Sequence, residues 1–272
     1  MTTRLAASAP ATAPAPATAP APATAPGAPV SGSVRFARFA YAPNERGLCG
    51  PEAGGALFEA GLGRLPGPEL RELASGFEAA WPWLGLLAES TGRPDPLDAA
   101  LVDAYWIGSP LAGAVRPRRL DEHLRHAFAP RLRRPTAASR RLEGLAEDMP
   151  VHHSSHVLRV MPLIGLIRSG LRPDLLELMG RCLVRPGRVV AVEEDALTVE
   201  ARGLEERAGR LALGPVRLEE VAWRIGGRSF VEGIEPGELV AIHWNWAADR
   251  LTPGEARALA AVTGRNLAAA RT

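Results

Sequence analysis

The sequence predicts an α+β protein: a mostly α-helical part, residues 34–180, is followed by a small β-barrel with a C-terminal helix, residues 181–272. Apolar residues recur at helical spacing, three or four positions apart, over much of 52–148. From residue 188 onward the pattern changes to short β-branched runs separated by turn residues, which is typical of a small barrel. Thr252 and Glu255 then form a capping-box pattern, which marks the start of a last helix.

The composition is that of a globular protein with nearly balanced charge. The 272 residues allow one large or two ordinary domains, and 46% of them are hydrophobic. The 30 acidic residues are interspersed among 32 basic residues, all of them arginine, so the formal net charge is only +2. Because no basic face is evident, we expect no nucleic-acid partner.

Cysteine content and the N-terminal composition bear on the compartment. The two cysteines lie far apart, so no disulfide framework is expected, which suits a reducing cytoplasm. Residues 1–33 form an Ala/Pro/Thr-rich tail that we expect to be disordered and not to be a signal peptide, because proline interrupts its apolar runs. With no run of about 18 apolar residues in the chain, the sequence predicts a cytoplasmic protein without a membrane span.

The helical part is predicted to consist of short helices separated by proline and glycine. Residues 35–41 fit either a short strand or the first turn of a helix, and 42–51 indicate a loop. Asp95 is expected to cap a helix whose last residues, Tyr105 and Trp106, belong to the core. Further helices are predicted at 52–61, at 68–88 with a break at Pro82, and at 119–128, 136–147 and 173–181.

Cys49 lies in the predicted loop, shortly before the helix expected from residue 52. A thiol close to a helix N-terminus can have a lowered pKa, which makes it a better metal ligand or nucleophile. The alternative is a small residue packed in a loop, which is the more frequent role of a free cysteine. The residue type favours the packed role but leaves both open.

Three of the six histidines, His152, His153 and His156, lie within five residues of one another. On a helix, His156 would share a face with His152 and with His153, and neutral imidazoles at that spacing can hold a transition metal. No glutamate occupies the position that a zinc-protease helix requires, and Pro150 precedes the run. A metal site and a structural hydrogen-bonding role both remain open.

Cys182 marks the change from helical to strand-like sequence. It follows the helix predicted at 173–181 and precedes Pro186-Gly187, a turn that leads into a β-branched run. Strands are predicted at 188–192, 196–201, 204–213, 216–225 and 239–244, with Gly214-Pro215 as a break between the third and the fourth. The last helix is expected to end near Ala269.

The C-terminal third contains a series of short sequence motifs. Residues 182–190 read Cys-Leu, two residues, Pro-Gly and an apolar strand. The segments 196–208, 236–243 and 247–256 continue with a short hairpin, a strand ending in histidine and a lead into the last helix. Over 182–265 the chain thereby resembles the HypC/HupF family of NiFe-hydrogenase maturation chaperones.

The resemblance implies a small OB-like β-barrel with a C-terminal helix. It also implies that Cys182 and His243 hold iron, as an iron–cyanide–carbonyl unit, and that Cys182 contacts the hydrogenase large-subunit precursor. A thiolate and an imidazole are suitable ligands for low-spin iron. The expected partner-binding residues are Cys182, Pro186, Gly187, Trp244 and Trp246.

Two features depart from the family pattern. The family's cysteine directly follows the initiator methionine, whereas Cys182 lies behind the whole helical part. Trp244-Asn245-Trp246 replaces a small residue, glycine and phenylalanine after His243. On residue type alone, the favoured role of His243 is that of a rim histidine packed on one of these tryptophans; with the resemblance, the two roles are equally supported.

These observations predict a non-enzymatic accessory chaperone for a NiFe hydrogenase, whose partners are the large-subunit precursor or other maturation proteins. The helical part has no assigned role, and we expect its Cys49 loop and its histidines, His152, His153 and His156, to face Cys182. Two alternatives stay open: a cytoplasmic thiol- or metal-dependent enzyme that uses these cysteines and histidines, and an interaction protein without ligands. Neither a nucleophile–base pair nor a phosphate loop is visible in support of an enzyme.

Overall fold

A computed structural model describes residues 30–128, 144–161 and 173–270, which form a mixed α and β architecture. The predicted combination of helices, a β-sheet and a C-terminal helix is confirmed. Nearly all of the predicted tail 1–33 and most of the helix predicted at 136–147 lie outside the described residues. In the described part of the chain, none of the helices combines the length and the apolar character that crossing a bilayer requires.

The helices are short, as the proline and glycine content predicts. Their bounds are α1 Gly32–Glu45, α2 Ala56–Gly61, α3 Gly67–Ser75, α4 Trp81–Thr91, α5 Ala99–Trp106, α6 Pro117–Phe128, α7 His153–Ser155, α8 Pro173–Cys182 and α9 Pro253–Ala269. A π-helical turn, His156–Val160, continues α7. Pro82 lies in the first turn of α4, where a proline is tolerated, so the pattern at 68–88 is split as predicted.

Helix α1 confirms the helical alternative for residues 35–41 and corrects the loop predicted from residue 42. Its N-terminus is capped by Ser31, whose hydroxyl accepts a hydrogen bond from the amide of Val34 at 3.3 Å. The helix then continues to Glu45, with Pro43 in its last turns. Burial of its aromatic face against the rest of the protein outweighs the loop signal of the proline.

Helix α5 begins later than predicted. Asp98, rather than Asp95, caps it by accepting from the amide of Ala100 at 2.9 Å. Asp95 instead accepts from the amide of Leu97 at 3.0 Å in the preceding turn. Both aspartates satisfy a free amide, and the sequence pattern alone does not distinguish the two. The capping box of α9 is confirmed, because Thr252 and Glu255 bond each other's backbone amides.

The strands close into a barrel in the order β1-β2-β3-β7-β6. The strands are β1 Arg185–Val192, β2 Ala196–Arg207, β3 Arg210–Ala222, β4 Arg224–Ile225, β5 Arg228–Ser229, β6 Leu239–His243 and β7 Trp246–Leu251. Neighbouring barrel strands pair antiparallel, except that β3 and β7 meet in parallel at Ala222 and Trp246. Strands β4 and β5 form a separate two-stranded sheet.

The predicted break at Gly214-Pro215 is wrong. Strand β3 runs through both residues, and the turn lies earlier, at Ala208 and Gly209, which have φ values of 51° and 76°. Pro215 is exposed and lies outside the residue pairs that join β3 to β2 and to β7. Its missing amide therefore removes no hydrogen bond between these strands.

One hydrophobic cluster is shared by the helical part and the barrel. The largest cluster of buried apolar residues includes Phe36, Trp83 and Tyr105 from the helices and Ala241, Trp244, Trp246 and Leu251 from the barrel. A second cluster fills the barrel and includes Val189, Leu197, Val199, Val240 and Ile242. The helices therefore cover one end of the barrel, the end at which β6 turns into β7.

A network of ion pairs joins α1 to the barrel. The buried carboxylate of Asp249 on β7 accepts hydrogen bonds from Arg35 Nε at 2.8 Å and from Arg38 Nη1 at 2.7 Å. Arg35 also binds Asp103 on α5 and Glu255 on α9, each at 2.6 Å. Because a single arginine binds three carboxylates from three elements, it fixes their relative positions.

We expect Asp249→Asn to lower the free energy of unfolding by about 3 kcal/mol, because both arginines would keep their burial and lose their charged partner. The urea-denaturation midpoint measures this. Glu122→Gln removes an exposed pair with Arg118 and serves as the control, with an expected change below about 1 kcal/mol. Equal midpoints for the two variants would contradict a central role for the Asp249 network.

Candidate metal centre

His153, Cys182 and His243 converge where the helical part meets the barrel. One possible ligand atom from each residue lies within 4.8 Å of those of the other two. His153 is the first residue of α7, Cys182 the last of α8 and His243 the last of β6. Both histidines are buried, and Cys182 is partly exposed as a residue. The predicted encounter of Cys182 with His243 and with one histidine of the 152–156 run therefore occurs in the structure.

Helix α8 and the β6–β7 hairpin hold Cys182 between them. The amide of Leu183 donates to the carbonyl of Met179 at 2.9 Å, which ends the helix. The amide of Trp244 donates to the carbonyl of Arg181 at 2.8 Å, which ties the hairpin to the helix end. Cys182 thus lies beside His243 because two backbone hydrogen bonds fix the elements that carry them.

The orientation of His243 is set by a backbone carbonyl of α1. Its Nδ1 lies 2.7 Å from the carbonyl oxygen of Phe39. Since a carbonyl only accepts, Nδ1 carries the proton and Nε2 carries the lone pair. Nε2 is buried and makes no hydrogen bond of ordinary geometry among the described residues, although the backbone of Cys182 lies near enough to the ring to raise its pKa. A histidine with one nitrogen bonded to a carbonyl and the other unprotonated has the arrangement of a metal ligand.

His153 contacts the backbone and the side chain of Cys182. Its Nε2 lies 2.8 Å from the carbonyl oxygen and 3.9 Å from the sulfur. Nδ1 has no partner in the described part of the protein. A metal at Nε2 would take the place of the proton that this nitrogen donates to the carbonyl. The His153 ring is therefore close enough to serve as a third ligand after one hydrogen bond is exchanged.

Helix α9 holds the histidine turn in place from behind. The side-chain amide of Asn266 donates to the hydroxyl oxygens of Ser154 and Ser155 at 2.8 and 3.0 Å. Ser155 in turn donates to the carbonyl of Pro150 at 2.7 Å. All of these groups are buried or part-buried, so the bonds have few competitors from water. The two serines between the histidines thus orient α7 rather than bind metal.

Aromatic rings enclose His153 and His243. The ring of Trp106 lies 4.5 Å from that of His153 and 5.5 Å from that of His243, centroid to centroid. Tyr105 lies 5.8 Å from His153. Both aromatic residues are buried, as predicted for core residues. They also exclude water from the imidazoles, which the sequence did not indicate.

Burial keeps the group uncharged. Desolvation lowers the pKa of His243 to about 4. It also lowers the pKa of His153 well below its ordinary value, and the charge of His243 adds a smaller lowering effect. Desolvation also raises the pKa of Cys182 to about 12, although the residue is partly exposed through its other atoms. At neutral pH both imidazoles are therefore free bases and the thiol keeps its proton.

Trp244 occupies a strained turn next to the thiol. Trp244 and Asn245 connect β6 to β7 in a two-residue hairpin, and both have left-handed backbones with φ values of 54° and 60°. A bulky residue rarely adopts this conformation without tertiary support. The indole is buried, and its N–H has no partner of ordinary geometry among the described residues. The N–H nevertheless interacts with the Cys182 thiol and lowers its pKa, which partly offsets the increase caused by burial.

Among the described residues, the group of close ligand atoms does not include His152 or His156. His152 has an extended backbone, φ −149° and ψ 149°, because its ring caps α7 by accepting from the amide of Ser154 at 3.0 Å. The expected shared helix face of His152 and His156 is therefore wrong. His156 begins the π-helical turn, with its ring 6.4 Å from that of Trp83.

Cys49 is a packed residue, as its type favours. Helix α2 begins only at Ala56, so the thiol does not lie at a helix N-terminus. Burial raises the pKa of Cys49 to about 11 instead of lowering it. The residue packs against the main core and lies outside the three-residue ligand group.

The expected partner-binding surface is covered in this structure. Gly187, Trp244 and Trp246 are buried, while Pro186 and Cys182 are partly exposed. Trp246 packs among Tyr41, Phe58 and Phe230, with centroid distances between 5.2 and 6.3 Å. Helices α1 and α2 pack against this hairpin through Tyr41 and Phe58, and the partner-binding role of the five residues stays a prediction.

The three side chains fit a transition metal better than any acid–base role. One thiolate and two neutral imidazoles are borderline-soft donors that suit iron or zinc. In a tetrahedral site, sulfur and nitrogen ligands lie about 3.5 Å apart. The observed separations, 3.9 Å between sulfur and His153 Nε2 and at most 4.8 Å within the group, require only a small inward shift. Three ligands would leave a fourth position open for a non-protein ligand.

The sequence of the whole chain was compared with known proteins. The profile of a family of unknown function, DUF6390, matches residues 28–272. The chain belongs to this family. No curated protein and no solved structure matches it. The matched DUF6390 region contains both the helical part and the barrel, so all three residues of the candidate metal centre lie within it.

Sequence reasoning missed the groups that orient the ligands of this DUF6390 chain. The carbonyl of Phe39 is a backbone group, which carries no residue-type signal. The ring of Trp106 has the pattern of an ordinary core residue. The spacing of the histidines pointed to the correct turn, but the choice of His153 over His152 depends on where α7 begins.

We expect the metal-free protein to be most stable between about pH 7 and pH 9. Burial lowers the pKa of His152 to about 3 and that of His243 to about 4, so both stay neutral in the folded protein at pH 5. In the unfolded chain, histidines have their ordinary pKa of 6.5 and bind protons below that pH, so the unfolded state binds more protons than the folded state. Stability then falls by roughly 1–2 kcal/mol per buried histidine at pH 5. The thiols of Cys49 and Cys182 ionise above the ordinary 9.0, so stability falls again as pH rises from 9 toward 12.

Urea-denaturation midpoints as a function of pH, recorded in the presence of a chelator, measure this dependence. His152→Asn retains an acceptor for the amide of Ser154 and should flatten the acidic limb. His126→Asn changes an exposed histidine of α6 and serves as the matched control. A midpoint that stays constant from pH 7 to pH 5 would contradict the buried, neutral state of the histidines.

Proposed function

We propose that this protein binds a transition metal through His153, Cys182 and His243 and acts as an accessory protein in NiFe-hydrogenase maturation. The observation that carries the metal proposal is the convergence of one thiol and two neutral imidazoles within 4.8 Å. The ligands come from three separate elements, so their approach is not a by-product of sequence proximity. Burial of the Nε2 of His243 without a hydrogen bond of ordinary geometry is costly unless a ligand compensates it.

Iron is the metal that the proposal names, in the form of an iron–cyanide–carbonyl unit carried as cargo. The donor set alone fits iron and zinc equally well. Iron is favoured by the likeness of residues 182–265 to the HypC/HupF chaperones, in which a cysteine and a strand histidine hold such a unit. The closed barrel with its C-terminal helix is compatible with the OB-like fold that this likeness implies.

The helical part gives the proposal its specific form. His153 belongs to the helical part, and Cys182 and His243 flank or belong to the barrel. A metal bound by all three would be held within a single chain, without a ligand from a partner protein. The helices also cover the face of Trp244 and Trp246, so a hydrogenase precursor would gain access only through a change at this interface.

A thiol enzyme is the weaker reading. A nucleophilic cysteine needs a lowered pKa or an adjacent base, whereas burial raises the pKa of Cys182 to about 12. His153 lies 3.9 Å from the sulfur, but its own pKa is lowered well below the ordinary value, which makes it a poor proton acceptor. A metal replaces the thiol proton directly and needs no base of this kind.

Anaerobically purified protein loaded with Fe(II) or Zn(II) alone should bind one ion per chain. His153→Ala, Cys182→Ala and His243→Ala should each weaken binding at least about tenfold, because each removes one of three ligands. Metal analysis after desalting and competition with a chelator measure stoichiometry and affinity.

Cys49→Ala and His156→Ala are the matched controls for that series. Each removes a partly or fully buried residue of the same type outside the ligand group, and we expect wild-type affinity for both. Loss of binding in the controls, or retention of it in the three ligand variants, would rule out the proposed centre.

The hydrogenase role is tested separately in cells that make a NiFe hydrogenase. Protein purified from them should show infrared bands of cyanide and carbonyl, and Cys182→Ala should abolish the bands and lower hydrogenase activity at least tenfold. Cys49→Ala should leave both unchanged. If the wild-type protein binds metal but lacks these bands, and if its deletion leaves hydrogenase activity intact, the metal site stands and the maturation role fails.

A further inference from the structure

The carbonyl that orients His243 is not engaged in the helix that contains it. In an α-helix, each amide donates to the carbonyl four residues earlier, so the donor for the Phe39 carbonyl would be residue 43. Residue 43 is proline and has no amide proton. The Phe39 carbonyl, inside a helix, is thereby free to accept from a side chain, and it accepts from His243 Nδ1 at 2.7 Å.

Proline also redirects the carbonyl that it leaves free. The pyrrolidine ring clashes with the carbonyl four residues earlier, which turns that carbonyl away from the helix axis. Residues 35, 39 and 43 recur every four positions and therefore lie along one face of α1. Arg35 on this face binds Asp249 of β7, so the same face that is anchored to the barrel presents the carbonyl to His243.

The contact satisfies a buried group on each side. Phe39 is fully buried, so a free carbonyl there would lose its contact with water. His243 is also buried, and its Nε2 makes no hydrogen bond of ordinary geometry among the described residues, although the backbone of Cys182 lies near enough to the ring to raise its pKa. A carbonyl oxygen has two lone pairs, so an amide at residue 43 would compete with Nδ1 for it, and the 2.7 Å hydrogen bond that sets the tautomer would weaken.

We infer that Pro43 is a positioning residue for His243: by withholding an amide from the Phe39 carbonyl, it holds the histidine in the tautomer whose Nε2 lone pair faces Cys182. Pro43 acts through the carbonyl and touches no metal. Its consequence for metal affinity rests on the proposed function, whereas its effect on the tautomer does not. The presence of a proline inside α1 thereby has a reason other than helix termination.

The wild-type protein provides the first test. Long-range proton–nitrogen NMR spectra of metal-free protein labelled with ¹⁵N-histidine distinguish a protonated from an unprotonated ring nitrogen. We expect His243, assigned with a His243→Asn variant, to carry its proton on Nδ1 only. A protonated Nε2 in the wild-type protein would overturn the inference whatever the variants do.

Pro43→Ala is the second test, because alanine introduces the missing amide without adding bulk. We expect His243 to populate both tautomers and Zn(II) affinity to fall about tenfold, the effect expected when a group that orients a ligand is lost. The urea-denaturation midpoint should stay unchanged or rise, since alanine favours the helix. Weaker binding in a more stable protein is a combination that structural damage would not produce.

Pro82→Ala is the matched control, since Pro82 lies in the first turn of α4 and leaves no carbonyl to the metal centre. It should change neither the His243 tautomer nor the Zn(II) affinity. Identical spectra and affinities for Pro43→Ala and the wild type would overturn the inference. If the wild type binds no Zn(II) at all, the proposed function fails, but the response of the His243 tautomer to Pro43→Ala still decides the role of Pro43.

Discussion

The seating of helix α1 on the barrel is the constraint on which the rest of the structure depends. A single buried carboxylate, Asp249, binds Arg35 and Arg38 from that helix, and Arg35 extends the network to α5 and α9. Buried ion pairs of this kind are costly to form but tolerate little displacement, so they fix a register more than they add stability. Once α1 is in register, the Phe39 carbonyl meets His243 and the β6–β7 hairpin is covered.

The enclosure of the site explains its chemistry. An exposed histidine has a pKa of about 6.5 and an exposed thiol a pKa of about 9; here desolvation lowers the pKa of both imidazoles and raises that of the thiol, so all three groups are uncharged over a wide range around neutral pH. Such a group is a poor catalyst of proton transfer. It is a suitable receptor for a metal ion, because the ion supplies the positive charge that makes thiolate formation favourable, with release of one proton. The aromatic rings around the histidines then exclude competing water.

Under the proposed function, the covered hairpin would distinguish this chain from the HypC/HupF chaperones. There the cysteine stands at the start of the chain, whereas here Cys182 ends a helix and is enclosed by the part of the protein that precedes it. Under the proposed function, a closed site favours storage or protected transfer of a labile cargo over rapid exchange with a partner. Membership of DUF6390, whose match spans both parts, indicates that the helices and the barrel belong together.

Local signals in the sequence by themselves determined the mixed architecture, the split at Pro82 and the capping box at Thr252. These depend on residue type and spacing over a few positions, which short-range physics governs. The pairing of Cys182 with His243 as candidates came only from the resemblance of residues 182–265 to a known family. The tertiary structure alone decided that His153 is the third member of the group, that β3 passes through Gly214-Pro215, and that α1 passes through Pro43. Each of these depends on contacts with residues distant in the chain, among them a backbone carbonyl 204 positions from the histidine it orients. Backbone groups are identical at almost every residue, so only the fold determines which of them a side chain meets.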